Sequence, residues 1–216
     1  MHDKTKSDRH DSVLFDEAIN ALSITSNGVY VDATLGRGGH TQGILDSLGK
    51  SGKVIGFDQD LDAIKYAEKN LIDSRLTLIH SNFSRLNNQL EQLNLMGEVD
   101  GILLDLGISS PQIDNPERGF SFNKDGALDM RMDQSQKMTA ALWLRESTEK
   151  EIADALYQFG EEKRSRIIAS TIKEYQKNKN IDSTLELSEL IKTVVKPGKN
   201  KHPATRSFQA IRIAIN

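Results

Sequence analysis

Four runs in the first half of the chain are almost continuously apolar or β-branched: "GVYVDA" through Asp32, "GKVIGFD" to Asp58, "LTLIHSNF" around Ile79, and "VDGILLDLG" to Asp105. Short runs of this kind, bounded by Gly, Asn and Asp, predict β-strands. Between them, the segment after Gly39, "LDAIKYAEKNL" and "SRLNNQLEQLNL" space their apolar residues for amphipathic helices. Strands alternating with helices of this length predict βαβ units and a parallel sheet. After Leu106 the pattern changes. "GISSPQIDNPERGFSFNKDGALDMRMD" fits no regular element, and beyond it only helical spacing remains, in "TAALWLRE", "EKEIADALYQF", "EEKRSRIIASTIKEYQKN" and "TLELSELIKTVV". The chain has no internal repeat and no low-complexity tract.

The turn after the first predicted strand, "DATLGRGGHT", holds Gly36, Gly38 and Gly39. A glycine-rich turn between the first strand and a helix is where an open parallel sheet receives a nucleotide-like ligand, and an acid about 20 residues later holds ribose hydroxyls. Asp58 is that acid, 20 residues after Gly38. The dinucleotide fingerprint fails at its third glycine, where the chain has Thr41, and an acid, Asp32, already closes the first strand. That combination suits a nucleoside with a cationic amino-acid tail, such as S-adenosylmethionine, better than a dinucleotide. A nicotinamide-dependent oxidoreductase shares the sheet, the turn and Asp58 and is the weaker alternative.

Composition narrows the setting. The 216 residues are 37% hydrophobic with 4 prolines and no cysteine, enough for a buried core and without a disulfide or thiol-ligated metal. The N-terminus, "MHDKTKSDRHDS", is charged, and no run approaches the roughly 20 apolar residues of a membrane span, so a soluble cytoplasmic protein without a bound metal is expected. The net charge of −3 hides an asymmetry. Residues 1–114 carry 10 Lys+Arg and 17 Asp+Glu, residues 115–216 carry 18 and 14, and from Lys163 onward the balance is 12 to 4. A late basic excess is the footprint of a surface meeting phosphates, although a solvated helix face gives the same count.

Three stretches give a more specific resemblance. "DATLGRGGHT", "DGILLDLGISSPQIDNPERGFSFNKDGALDMRMD" and "KHPATRSFQAIRIAIN" resemble the RsmH (MraW) family of bacterial small-subunit rRNA cytosine-N4 methyltransferases, with similarity from "SVLFDEAINAL" to Asn216. The resemblance implies an α/β fold of class I S-adenosylmethionine-dependent type, a Rossmann-like parallel sheet with an inserted helical domain. It implies a methyltransferase domain over residues 1–112, a helical RNA-recognition insert over 113–206, and a return to the first domain beginning at 207–216. It places the cofactor on Gly38, Gly39, His40, Asp58, Phe83, Asp105 and Gln112. Chemistry agrees with several of these: the glycines let the backbone approach a methionine moiety, Asp58 accepts ribose hydroxyls, and Phe83 packs on adenine.

The reaction implied is methyl transfer to the N4 amine of a cytidine in the decoding centre of 16S rRNA within the small ribosomal subunit. That nitrogen is a poor nucleophile because its lone pair is delocalised into the ring, so acceptors must hold and reorient it. Asp105, Ser109, Ser110 and the carbonyls beside Pro111 are the candidates; a Ser-Pro turn with capping hydroxyls is the plain alternative for the serines. The target must be flipped or unpaired. Phe120 and Phe122 are candidates to stack on a base, and Arg118 and Arg131 to hold phosphates, unless Asp129 and Asp133 in "LDMRMD" merely brace the arginines. Lys199, Lys201, His202 and Arg206, in a Pro- and Gly-containing loop before a helix, suit RNA. A non-catalytic RNA-binding assembly factor that keeps the cofactor pocket is the other function class. Finally, such sheets usually have about seven strands and only four are predicted here. The sequence therefore reads as a truncated form that binds cofactor weakly, self-associates into a homodimer through exposed apolar surface, and has little activity.

Overall fold

The computed structural model describes residues 14–197 and 202–216, which fall into two compact units, one up to Gly107 and one from Ile108 to Asn216.

The first unit alternates helices and strands: α1 (Phe15–Ala21), β1 (Val29–Asp32), α2 (Gly39–Ser47), β2 (Lys53–Asp58), α3 (Leu61–Asn70), β3 (Leu76–His80), α4 (Leu86–Gln92) and β4 (Gly101–Leu103). Among the described residues the sheet has four strands in the order β3-β2-β1-β4, all parallel. β2 reads as a nearly unbroken apolar run because both faces are covered: Val54, Ile55 and Phe57 are all fully buried. Tyr30, Ile44, Leu45, Leu48 and Val54 fill one side of the sheet, while Val31, Ala33, Ile55, Phe57 and Leu90 fill the other.

The chain runs outward from β1 to β2 and β3, then crosses to pair β4 on the opposite side of β1. Strand order therefore reverses between β1 and β4, and sheets of this kind bind ligands at the carboxyl ends beside such a reversal. β4 stops at Leu103, two residues before the predicted end at Asp105. Beyond it the Asp105 amide leaves the ladder and donates to the Thr34 hydroxyl at 2.7 Å. Among the described residues β4 pairs on one side only, and Ile102, Leu104 and Leu106 in and beyond it are 44%, 50% and 69% exposed.

The second unit is helical, with α5 (Ser110–Asp114), α6 (Ala140–Glu146), α7 (Glu149–Gly160), α8 (Ser165–Gln176), α9 (Thr184–Val194) and α10 (Thr205–Ile215). Caps set several starts: Thr139, Thr148 and Ser183 each accept from a backbone amide in the first turn of the helix they open. Leu128, Met130, Leu144, Ile152, Leu156, Ile168, Ile172, Leu187 and Ile191 form its core. Of residues 207–216, expected to begin a return to the sheet domain, 207–215 belong to α10 and Asn216 caps it; its Phe208, Ala210, Ile211 and Ile215 enter this core against α7 and α6. The irregular stretch after α5 is pinned by long-range backbone bonds, Leu128 N to Asp182 O at 2.9 Å and Met130 N to Arg118 O at 3.0 Å. α5 itself is missing from the periodicity because five residues are too few to show one. No helix among the described residues is long and apolar enough to cross a membrane.

Candidate functional site

At the carboxyl edge of the sheet, β1 runs into the glycine turn. Gly38 is the N-cap of α2 with φ of +76°, and a side chain there would lie 2.2 Å from Leu71 Cδ1, so both conformation and space require glycine. Gly36, with φ of +53°, faces open space: an added carbon would meet only the Thr34 carbonyl, at 3.9 Å. Its amide donates to Asp58 Oδ2 at 2.8 Å, while Asp58 Oδ1 accepts the Asp60 amide at 2.8 Å. The carboxylate that ends β2 thus holds the turn that ends β1. Asp58 is not the N-cap of α3; Asp60 is, accepting from Asp62 N.

Burial raises the Asp58 pKa above its ordinary value, against the lowering effect of the Asp60 and Gly36 amides. Asp32 is also raised, first by burial and despite the bonds from Thr41 and Thr34. Both shifts favour the protonated acid in the fold. Their contribution to stability is therefore present below the ordinary 3.8 and lost as pH rises through the folded-state values.

Asp32 corrects the sequence reading. It is 1% exposed and takes the Thr41 hydroxyl at 2.7 Å and the Thr34 amide at 3.1 Å, so it clasps the start of α2 rather than lying open at the sheet edge. Thr41 stands where the dinucleotide fingerprint has its third glycine because its hydroxyl is needed by this buried carboxylate.

His40 lies beneath the turn, stacked on Phe15 with ring centroids 5.8 Å apart. Its Nδ1 is 4.0 Å from Asp105 Oδ2, and its Nε2 is shielded from solvent without a hydrogen-bond partner among the described residues. The Asp105 side chain is 55% exposed. Phe83 follows β3: Ser81 N donates to Asp58 O at 2.9 Å, and Asn82 Nδ2 donates to Gln59 Oε1 at 2.7 Å, which ties the two strand ends together. The ring of Phe83 is left 40% exposed next to them. The fold therefore gathers Gly38, Gly39, His40, Asp58, Phe83 and Asp105 at one edge. Ser109, Ser110 and Gln112 belong to the helical unit, at the start of α5, where Gln112 is buried and its Oε1 accepts the Ser109 amide at 3.0 Å.

Sheets of this strand order receive nucleoside-like ligands at this edge as a general rule. The sequence profile of the MraW methylase family matches residues 7–216. The chain belongs to the MraW methylase family. As a family member it is similar to proteins named ribosomal RNA small subunit methyltransferase H. It is 58% identical over 207 residues to that of Vesicomyosocius okutanii subsp. Calyptogena okutanii (strain HA), covering 96% of this chain and 67% of the relative. It is 59% identical over 207 residues to that of Ruthia magnifica subsp. Calyptogena magnifica, with the same two coverages of 96% and 67%. It is 51% identical over 209 residues to that of Alteromonas mediterranea, again covering 96% and 67%. Its parallel sheet flanked by helices is the Rossmann-like architecture of class I methyltransferases.

The RNA-facing expectations for this MraW methylase fare differently, all within the helical unit. Phe120 is 1% exposed and belongs to the interior, so it cannot stack on a base; a ring in a strongly apolar environment is a packing residue first. Arg118 is also buried, and its Nη2 donates to the carbonyls of Arg131 and Met132, both at 3.1 Å. Arg131 is clasped by both oxygens of Asp129, at 2.7 and 2.6 Å, and donates to the carbonyls of Gln134 and Gln136. Both arginines brace the irregular segment rather than hold phosphates. His202 is half-buried and stacked on Phe122; burial first, then the charge of Lys192, lowers its pKa below 6.5, so it carries no charge for a phosphate at pH 7. Arg206 is exposed, with Nη1 donating to Glu161 O at 3.3 Å. Lys199 and Lys201 lie outside the described residues.

Sequence reasoning missed three contacts: the Asp32–Thr41 clasp, the Phe15–His40 stack, and the Arg37 guanidinium 4.2 Å over the Tyr66 ring. Only the first left a signal, the failed glycine at Thr41.

Proposed function

We propose that this MraW methylase binds S-adenosylmethionine at the carboxyl edge of its sheet and methylates the N4 amine of a cytidine in 16S rRNA of the small ribosomal subunit, in the cytoplasm. The observation that carries the reading is the clasp of the Gly36 amide by Asp58 at the strand-order reversal, in a chain of this family. The residues fit the donor: Gly36 leaves space for close approach, Asp58 keeps lone pairs for ribose hydroxyls, and Phe83 offers an exposed face to adenine. Bound there, S-adenosylmethionine supplies an electrophilic sulfonium methyl.

The protein's own part is binding and orientation. Asp105, outside the ladder and exposed, is an acceptor for an amine hydrogen, and Ser109 and Ser110 are the other acceptors proposed. Holding those hydrogens localises the nitrogen lone pair, and in-line positioning lowers the barrier further. A methylated amine nitrogen releases its extra proton readily to water, so none of these residues needs to act as a base. Labelled methyl donor incubated with the protein and small subunits should yield labelled N4-methylcytidine after digestion; binding of donor and RNA without label would favour a non-catalytic assembly factor.

A further inference from the structure

Arg212 lies on α10, one turn beyond Phe208, and its Nη1 donates to the carbonyl of Phe120 at 3.0 Å. Arg75 is held by Asp73 and Arg131 by Asp129, while the buried Arg118 donates to the carbonyls of Arg131 and Met132. Arg212 forms no ion pair among the described residues, and burial lowers its pKa with no carboxylate to counter it. A half-buried guanidinium without an anion is costly unless an anion arrives from outside. Its Nε and second terminal nitrogen make no hydrogen bond among the described residues, yet they are not sealed from solvent. Most of a rigid donor fork is thus held in place and left open.

Two rings belong to the same part of the helical unit. Phe122, two residues along from the carbonyl that Arg212 holds, stacks on His202 with centroids 4.3 Å apart and meets Phe208 edge-on at 5.0 Å. Phe122 and His202 are each only half-buried, and His202 is uncharged at pH 7. Half-buried rings and a fixed cation in one region are what single-stranded nucleic acid binding uses, stacking for a base and charge for its phosphate.

We propose that Arg212, with the His202–Phe122 stack, forms a phosphate-binding subsite that takes one nucleotide of an unpaired RNA segment. Its RNA part rests on the rRNA reading above, while the anion site itself does not. Single-stranded oligoribonucleotide binding is measured against KCl concentration for the wild type, Arg212→Gln and Arg212→Lys, with melting in inorganic phosphate as a second arm. Arg212→Gln should reduce the salt slope by roughly 0.7, the loss of one phosphate contact on a single strand, and abolish stabilisation by phosphate. Arg212→Lys keeps the charge and should keep the slope, with weaker affinity because the bidentate fork is gone. A folded Arg212→Gln with unchanged slope and unchanged phosphate response overturns the proposal. Phosphate stabilisation that depends on Arg212, in a wild type that binds no RNA, supports the anion site and counts against the rRNA reading instead.

Discussion

Gly38→Ala is expected to destabilise the sheet unit by about 2–3 kcal/mol and to weaken binding of the methyl donor. Two causes combine. A left-handed backbone, φ +76°, costs an L-residue about 1–2 kcal/mol, and an added methyl 2.2 Å from Leu71 Cδ1 forces that side chain to move. Leu71 packs on the small cluster of Leu35, Ile64 and Ala67, so it can yield only in part. Gly36→Ala is the control: its φ of +53° carries strain, but nothing lies closer than 3.9 Å. It should cost about 1 kcal/mol, the backbone strain alone. Chemical denaturation of Gly38→Ala in a Leu71→Ala background separates the two causes, since the packing part should vanish there while the backbone part stays. Equal losses at Gly36 and Gly38 would show that the Leu71 contact is unimportant.

Asp58→Ala is expected to weaken S-adenosylmethionine binding by about 1.5–3 kcal/mol, the range for losing a charged hydrogen-bond acceptor. The effect reaches beyond the ribose. Asp58 Oδ2 also holds the Gly36 amide at 2.8 Å, so the mutation frees the turn that admits the donor. Because burial raises the Asp58 pKa, the carboxylate protonates above the ordinary 3.8, and donor affinity should fall as pH drops through that raised value. Calorimetry of the wild type and Asp58→Ala across that range checks both statements. A folded mutant with unchanged affinity would remove Asp58 from the site.

Much of the sheet unit could be read from the sequence because both of its signals are local. Continuous apolar runs such as "KVIGFD" come from strands buried on both faces, and the glycines of the turn are fixed by φ and by the approach of Leu71. The side chains of the irregular segment could not be read in this way. Whether Arg131 meets a phosphate or Asp129 depends on which partner the fold brings nearer, and sequence spacing allows both. Phe120 and Phe122 are two residues apart with the same chemistry, yet one is sealed in the core and the other stacks half-exposed on His202. Only packing from distant helices separates them. Arg212 is likewise hidden, since a single basic residue on an amphipathic helix looks like an ordinary solvated position until its burial, with no acid beside it among the described residues, is seen.

The central claim, methyl transfer to a cytidine amine of small-subunit rRNA, is tested most directly by incubating this chain with radiolabelled S-adenosylmethionine and small subunits that lack the modification, then digesting the rRNA to nucleosides. The account predicts label that co-migrates with N4-methylcytidine, lost when Asp58 is replaced by Ala. Donor and RNA binding with no label in any nucleoside, or label in a different base, would contradict it.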